Sequence, residues 1–398
     1  MPSIGVLYYV SSFPKLSKSF ILNEITELKR RGHEVAVFAQ NDPGEDVVHD
    51  ELADIDIPVY YAQPSYTELP SILTTTAAQM VRRDPEISSP RAFSLKEIGH
   101  SLLLARRCLE AIADLDIEID VINAHFATPT RAGAIHASNH AGIPCIVTAH
   151  AYEIFRNPDF EKIRRICHGV DHVVVPSEYN RQYLRNEAAI TNDISVIPAT
   201  TKTEKFEPSG EPVENRLLTV ARLVEKKGHK YALEAVSQLV AQGYDVEYHI
   251  IGQGKLEPQL KQYASDLGIS SHVAFLDHVS DETLRNELNE AALFVLPCVI
   301  AENGDRDAMP VVLKEAMASE TACVSTSVSA IPELITDGED GLLVPPRDVE
   351  QLAAAIQRLL DDPALRDEIE TRGRQTVHET FDIAQSIDDL LAVFRSEI

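Results

Sequence analysis

The sequence predicts an α/β protein of two doubly wound domains, each a parallel sheet with helices packed on both faces. Three observations predict it. Short apolar runs alternate with stretches of helical spacing along most of the 398 residues. The alternation halts at a polar segment with two prolines, 201–214 (TKTEKFEPSGEPVE), and then begins afresh. A chain of this length is also long for one core, so two domains are the natural division.

The elements follow in order. IGVLYYV at 4–10 is a short apolar run bounded by polar residues, as a parallel strand buried on both faces should be. SFILNEITELKRRG (19–32) sets Phe20, Ile21, Ile25 and Leu28 at helical spacing, with Gly32 where a helix would end. EVAVFAQ (34–40) completes a β-α-β unit. A helix near 96–114, strand DVINAHF (120–126), a helix over 129–141 and strand PCIVTAH (144–150) come next, then a helix over 159–168 and strand HVVVPS (172–177). The Pro- and Ser-rich stretch 64–95 interrupts this series and reads as an elaboration of the first domain. In the second series RLLTVARL, VEYHIIG, VAFLD, LFVLP and ACVSTS read as strands. HKYALEAVSQLVAQG, 256–267, 281–291 and VVLKEAMAS read as the helices between them. A closing amphipathic helix over 383–397 is expected to pack back on the first domain. The expected division is therefore 1–203, 204–380 and a returning segment 381–398.

Composition excludes several classes. With 36 basic and 62 acidic side chains the net charge is −26, which repels nucleic acid. Only 13 of the basic residues are lysine against 23 arginine, and such a surface suits adaptation to very high salt. The five cysteines (Cys108, Cys145, Cys167, Cys298, Cys323) are odd in number and form no C-x-x-C pair. They read as buried free thiols of a reducing compartment, not as a disulfide framework or zinc knuckle. No run approaches the roughly 18–20 apolar residues of a bilayer span. MPSIGVLYYVSSFPK has no basic leader and no clear cleavage site, so it reads as a strand and a cytoplasmic protein is expected. SLLLARRCLEAI (101–112) fits two readings, a basic amphipathic helix at the inner membrane face or the core face of an ordinary helix; the second is simpler.

Ligands of doubly wound sheets sit beyond the carboxyl ends of the strands, and several residues stand there. Arg222 ends a strand, and Lys227 lies in the loop entering the next helix. Two cations beside free helix N–H groups could hold a diphosphate, or be plain surface charges. Asp307 and Glu315 flank Pro310 eight residues apart, the first in a loop and the second inside a helix. Backbone N–H groups around Met309 and Val311 would face a ligand, and a carboxylate there can accept from vicinal hydroxyls. His150 in TAHAYE ends another strand; it could meet a sugar hydroxyl or developing charge, or be a structural histidine, and His125 is a weaker candidate. The 14 histidines show no H-E-x-x-H spacing, so no zinc is expected. IGQGKLE (251–257) has G-x-G after a strand but Glu257 at the third glycine position, which disfavours a dehydrogenase.

These signals occur in the order of one family. From YVSSFPKLSKSFILNEI through VIPATTKTEKF, VARLVEKKGHKYALEAV, IIGQGKLEPQL, FLDHVSDETL, FVLPC, DAMPVVLKEAMA and IPELITDGEDGLLVPP, the chain resembles glycosyltransferase family 4, notably its exopolysaccharide and capsule members. The resemblance implies the GT-B fold, two Rossmann-like domains facing across a cleft, with an acceptor-binding first domain and a nucleotide-sugar-binding second one. It implies transfer from a nucleoside-diphosphate sugar to a glycan or lipid-linked acceptor, retaining anomeric configuration and needing no metal. By it Arg222 and Lys227 would neutralise the donor diphosphate, Asp307 would face the donor sugar and Glu315 the ribose. Met309, Pro310 and Val311 would offer backbone to sugar and phosphates, His150 would be the first domain's site histidine, and Ser17, Lys18 and Ser19 would form a loop over the donor. The leaving diphosphate would take the acceptor's proton on the same face.

The chain departs from the family pattern at several places. Asp307 stands where Glu is usual and Ala308 where Gly is common. Ala199, Thr200 and Lys202 replace the common Asn, Gly and Asp, and Ala221 precedes Arg222 in place of Gly. These put the choice of sugar in doubt. Two other functions fit less of the pattern: a nucleotide-sugar epimerase of the same fold, and a catalytically silent carbohydrate-binding protein.

Overall fold

The computed structural model describes residues 2–15, 19–44, 52, 55–64, 67 and 87–398. Ser17 and Lys18, and most of the Pro- and Ser-rich stretch, lie outside the described residues. The chain divides into two compact units, Met1–Pro198 with Ser386–Ile398, and Ala199–Gln385. The junction falls at Pro198/Ala199, upstream of the 203/204 point read from the sequence. The polar segment belongs to the second unit because Thr201 bridges Asp382 and the Thr203 hydroxyl donates to the Asp382 carboxylate at 2.6 Å.

The first unit holds a seven-stranded parallel sheet in the order β3-β2-β1-β4-β5-β6-β7. Its strands are β1 (Gly5–Ser12), β2 (Glu34–Asn41), β3 (Val59–Tyr61), β4 (Val121–His125), β5 (Cys145–Thr148), β6 (His172–Val175) and β7 (Ile194–Val196). Val6 to Val10 and Val121 to Ala124 have almost no exposure, because helices cover both faces of a parallel sheet. Strand order reverses direction between β1 and β4, which pair in register from Val6↔Val121 to Tyr9↔Ala124. That reversal is where a doubly wound sheet opens a ligand crevice.

The second unit repeats the plan with six parallel strands, β10-β9-β8-β11-β12-β13. They are β8 (Val213–Val220), β9 (Glu247–Ile251), β10 (Val273–Leu276), β11 (Ala291–Leu296), β12 (Ala322–Thr326) and β13 (Leu342–Val344). Its core joins Leu217, Leu293, Val295 and Val324 to Leu233, Val236 and Leu239 of the helix His229–Ala241. Each such side chain fully buried is worth about 1.5–3 kcal/mol relative to exposure. The switch point here lies between β8 and β11.

Two boundaries differ from the sequence reading for a physical reason. β11 begins at Ala291, although the alanines prolong the helical pattern of Asp281–Glu290, because both are buried between neighbouring strands. β8 ends at Val220, so Arg222 stands in the following loop. The apolar residues of the helix Leu95–Asp114 settle its two readings. Leu102, Leu103, Leu104 and Ala105 are buried core, and Arg106 and Arg107 both bridge Glu110, at 2.8 and 2.7 Å. No helix among the described residues is long and apolar enough to cross a membrane.

Candidate active site

At the carboxyl end of β8 the chain turns through Arg222 into a short 3₁₀ turn, Glu225–Lys227, and then the helix His229–Ala241. Three contacts fix this loop. The His229 Nε2–H donates to the Arg222 carbonyl at 3.1 Å, and burial lowers that imidazole to about 4, keeping it neutral. The Val299 N–H donates to the Lys226 carbonyl at 2.9 Å, tying the loop to the segment after β11. Gly252 and Gly254 bring the loop after β9 against it, since a Cβ on them would lie 2.2 Å from the Ala221 oxygen and 2.4 Å from the Leu223 oxygen. The G-x-G pair therefore serves close backbone packing.

The cations of this loop are organised by acids from the segment after β11. Lys227 Nζ lies 2.7 Å from Asp307 Oδ2, while Lys226 Nζ lies 3.3 Å from Asp307 Oδ1 and 2.9 Å from Asp305 Oδ1. Burial alone would raise the Asp307 carboxyl, but Lys227 and Lys226 overcome it and hold the group well below the usual carboxylate range. Lys226 was not singled out in the sequence, where neighbouring lysines in a loop look like solvated charge; here it is 4% exposed. Arg222 is exposed and close enough for its charge to oppose that of Lys226. The corner thus gathers three cations and two carboxylates.

The second wall is Ala308–Pro310 and the helix Val311–Ala318. Ala308, Met309 and Pro310 are buried, and the Ala308 carbonyl accepts from the Ala330 N–H at 3.1 Å. No side chain caps this helix, so its first turn keeps N–H groups suited to an anion. Glu315 is half-buried one turn in. Beside it Lys314 is fully buried; its ammonium donates to the Ala199 carbonyl and lies 4.9 Å from the Phe381 ring centre. Burial pulls this lysine down to about 7, against the opposing pull of Glu315. An unfolded lysine holds its proton to about pH 10.4. The unfolded chain therefore binds more protons between about 7 and that value, and stability rises with pH across the window. Lys314→Met is expected to flatten that rise in urea unfolding measured from neutral to alkaline pH. An unchanged slope would place its cause elsewhere.

In the first unit, His150 follows β5 and starts the short helix Ala151–Phe155. Its N–H donates to Glu153 Oε1 at 2.7 Å, and the Ala127 N–H donates to the same oxygen at 2.8 Å. Burial pushes the Glu153 carboxyl up to about 7. His150 is buried at 7% exposure, with its Nε2 3.1 Å from His125 Nδ1. Phe20 and Phe126 place their rings 4.8 and 4.5 Å from it. Ser19 opens the helix Ser19–Arg30 that carries Phe20. The fully buried Arg131 donates from Nε to the His125 carbonyl at 2.6 Å and fixes the turn after β4.

Two parallel-sheet units, each with polar groups gathered at its switch point, match solved structures along nearly the whole chain. Sucrose-phosphate synthase from Thermosynechococcus elongatus has a TM-score of 0.77 at 18% identity, covering 99% of this chain and 98% of that one. Anabaena Alr3699/HepE in complex with UDP and glucose has a TM-score of 0.74 at 18% identity, covering 98% and 99%. At these identities the likeness establishes the GT-B fold alone. Residues 18–205 match the family model described as Glycosyltransferase Family 4, and 201–376 the one described as Glycosyl transferases group 1. The protein is a glycosyltransferase. It is 30% identical to the amylovoran biosynthesis glycosyltransferase AmsK of Erwinia amylovora over 88% of this chain and 89% of the relative. It is 27% identical to the putative colanic acid biosynthesis glycosyltransferase WcaL of Salmonella typhimurium, over 97% and 98%. The chain belongs to glycosyltransferase family 4.

Proposed function

We propose that this enzyme moves a sugar from a nucleoside-diphosphate sugar to a glycan or lipid-linked acceptor during cell-surface polysaccharide synthesis, with retention and without a metal. The observation that carries the donor assignment is the cationic corner after β8, where Arg222, Lys226 and Lys227 gather beside the uncapped helix Val311–Ala318. The amylovoran and colanic acid relatives support the polysaccharide setting, and the UDP and UDP-glucose complexes of the Anabaena protein support the donor class. The five cysteines, all buried and unpaired, fit the reducing cytoplasm.

In this mechanism Arg222 and the two lysines neutralise the diphosphate, and the backbone of Met309 to Val311 meets its oxygens. Glu315 accepts from the ribose hydroxyls. Asp307 orders the lysine pair and is the acid that a donor-sugar hydroxyl meets. The bond from the anomeric carbon to the diphosphate oxygen breaks as the acceptor oxygen bonds to the same face. The acceptor's proton passes to the departing diphosphate. His150, with Phe20 and Phe126 around it, is the first unit's residue that we assign to the donor sugar in the transfer step.

A thermal-shift panel of nucleoside diphosphates and their sugar conjugates tests this, with and without EDTA and in low and molar KCl. One nucleotide should shift the melting temperature without metal, and more with one sugar attached. A ligand at 100 times its dissociation constant adds about 2.7 kcal/mol. Loss of the shift in EDTA would overturn metal independence, and silence across the panel would favour a carbohydrate-binding role. Molar KCl should itself raise the melting temperature if the net charge of −26 is a high-salt surface.

A further inference from the structure

Beyond the donor corner, the first unit carries an arrangement that no role above uses. Helix Ser19–Arg30 brings Glu24 against the ring of His125, so that Glu24 Oε2 lies 3.4 Å from His125 Nε2. The other nitrogen of that ring, Nδ1, lies 3.1 Å from His150 Nε2. The Tyr8 hydroxyl donates to the same Glu24 oxygen at 3.1 Å. The rings of Tyr8, His125 and His150 form one stack, with centres 5.5 and 5.3 Å apart and planes within 17° and 15°. His125 is fully buried at its centre.

We propose that Glu24 and His125 are positioning residues that hold the His150 ring in its Nε2–H tautomer, through the polar chain Glu24–His125–His150. The inference rests on the assignment of His150 to the donor sugar made above. Its logic is one of donors and acceptors. Burial and the Glu24 charge raise the Tyr8 phenol well above its ordinary range, so its oxygen keeps the proton and donates it. A carboxylate has no proton to offer His125, so His125 Nε2 carries one and points it at Glu24. In the neutral ring Nδ1 is then a bare acceptor, and the proton between the two rings belongs to His150 Nε2. At the far end the chain closes in the same sense, because the backbone N–H of Glu153 faces the His150 side chain. Asn123 Nδ2 also lies 3.4 Å from His125 Nε2 and hydrogen-bonds Tyr8 as well; the full charge of Glu24 is what the Nε2–H meets. The same logic places the orienting carboxylate of a catalytic triad behind its histidine. Here the result is a His150 ring fixed at both nitrogens, with the Glu24 carboxylate at the far end of the chain that holds it.

The test reads the tautomers directly. Ring nitrogen shifts are recorded by NMR on protein labelled with ¹⁵N-histidine, with signals assigned from His125→Asn and His150→Asn. Both rings should be protonated at Nε2 in the parent protein. Glu24→Ala should admit the Nδ1–H form of both rings and lower kcat by roughly tenfold or more with little change in the donor KM. Glu24→Gln, whose amide oxygen still accepts, should restore the Nε2–H pattern and recover part of kcat. A parent ring protonated at Nδ1, or tautomers indifferent to Glu24→Ala, would overturn the inference. Full turnover by His150→Asn would instead overturn the role given to His150, whatever the tautomers show, so the two failures are told apart.

Discussion

Lys227→Ala should lower donor-dependent turnover and melting temperature together. One charge-assisted contact to phosphate is worth about 1.5–3 kcal/mol, so kcat/KM should fall roughly 10- to 100-fold. The sequence alone suggests an unchanged melting temperature, because a loop lysine beside a ligand reads as dispensable to the fold. The ion pair corrects this. Lys227 is 2.7 Å from the half-buried Asp307 carboxylate, and its loss leaves only Lys226, at 3.3 Å, to balance that charge. Removing one partner of a fully buried pair costs up to about 3–5 kcal/mol, and half burial and Lys226 keep the loss below that bound. The double variant Lys227→Ala/Asp307→Asn should therefore recover melting temperature but not turnover. Because Asp307 is held below the ordinary carboxylate range, its pairing stabilises the fold above pH of about 4 and is lost as pH falls through the depressed folded value. Lys227→Ala should accordingly begin acid unfolding at higher pH. Glu315→Ala, on a half-buried position, should lose turnover with the melting temperature nearly unchanged. Recovery of turnover in the double variant would show that Lys227 serves only Asp307.

The long strands and the order of motifs were legible because parallel strands buried on both faces write continuous apolar runs. β3, β7 and β13 were not, since three residues carry no period. The helix Glu178–Glu187 buries only Asn180 and Leu184, too little to mark a face. In the site, single residues at strand ends could be named, but their pairings could not. Lys226 looks like a solvated neighbour of Lys227 until the segment after β11 folds Asp305 and Asp307 onto it. Glu24 reads as one acid of a surface helix, and His125 as the lesser of two histidines. Only the β1–β4 pairing, which sets Tyr8 beside Asn123, brings them to one point. The role of G-x-G was hidden for the same reason: a glycine needed for backbone contact and one needed for a phosphate look alike in one dimension.

Gly228→Ala should be among the most destabilising single substitutions in the second unit, and a second glycine supplies its control. Gly228 sits at φ +71°, in the left-handed region that costs an alanine about 1–2 kcal/mol. A Cβ there would also lie 1.8 Å from the Pro297 carbonyl oxygen and 2.8 Å from its carbon. Both atoms are backbone at the end of β11, so no rotamer relieves the overlap; either the strand end or the start of the helix His229–Ala241 must move. Overpacking of this kind adds about 1–3 kcal/mol. Gly243, after the same helix, has φ +96° and nothing within 4 Å of its Cβ position. Gly243→Ala carries the backbone strain without the clash, so the difference between the two in urea unfolding isolates the Pro297 contact. On the donor role proposed for Lys227, that contact should also bear on function, because Lys227 is the residue before Gly228 and a shift that clears the overlap would displace its ammonium. Folded Gly228→Ala protein should therefore bind the donor diphosphate more weakly, while Gly243→Ala binds it normally. Equal unfolding free energies for the two variants would mean that the approach to Pro297 does not fix the loop, and that the lysine corner is held by its ion pairs alone.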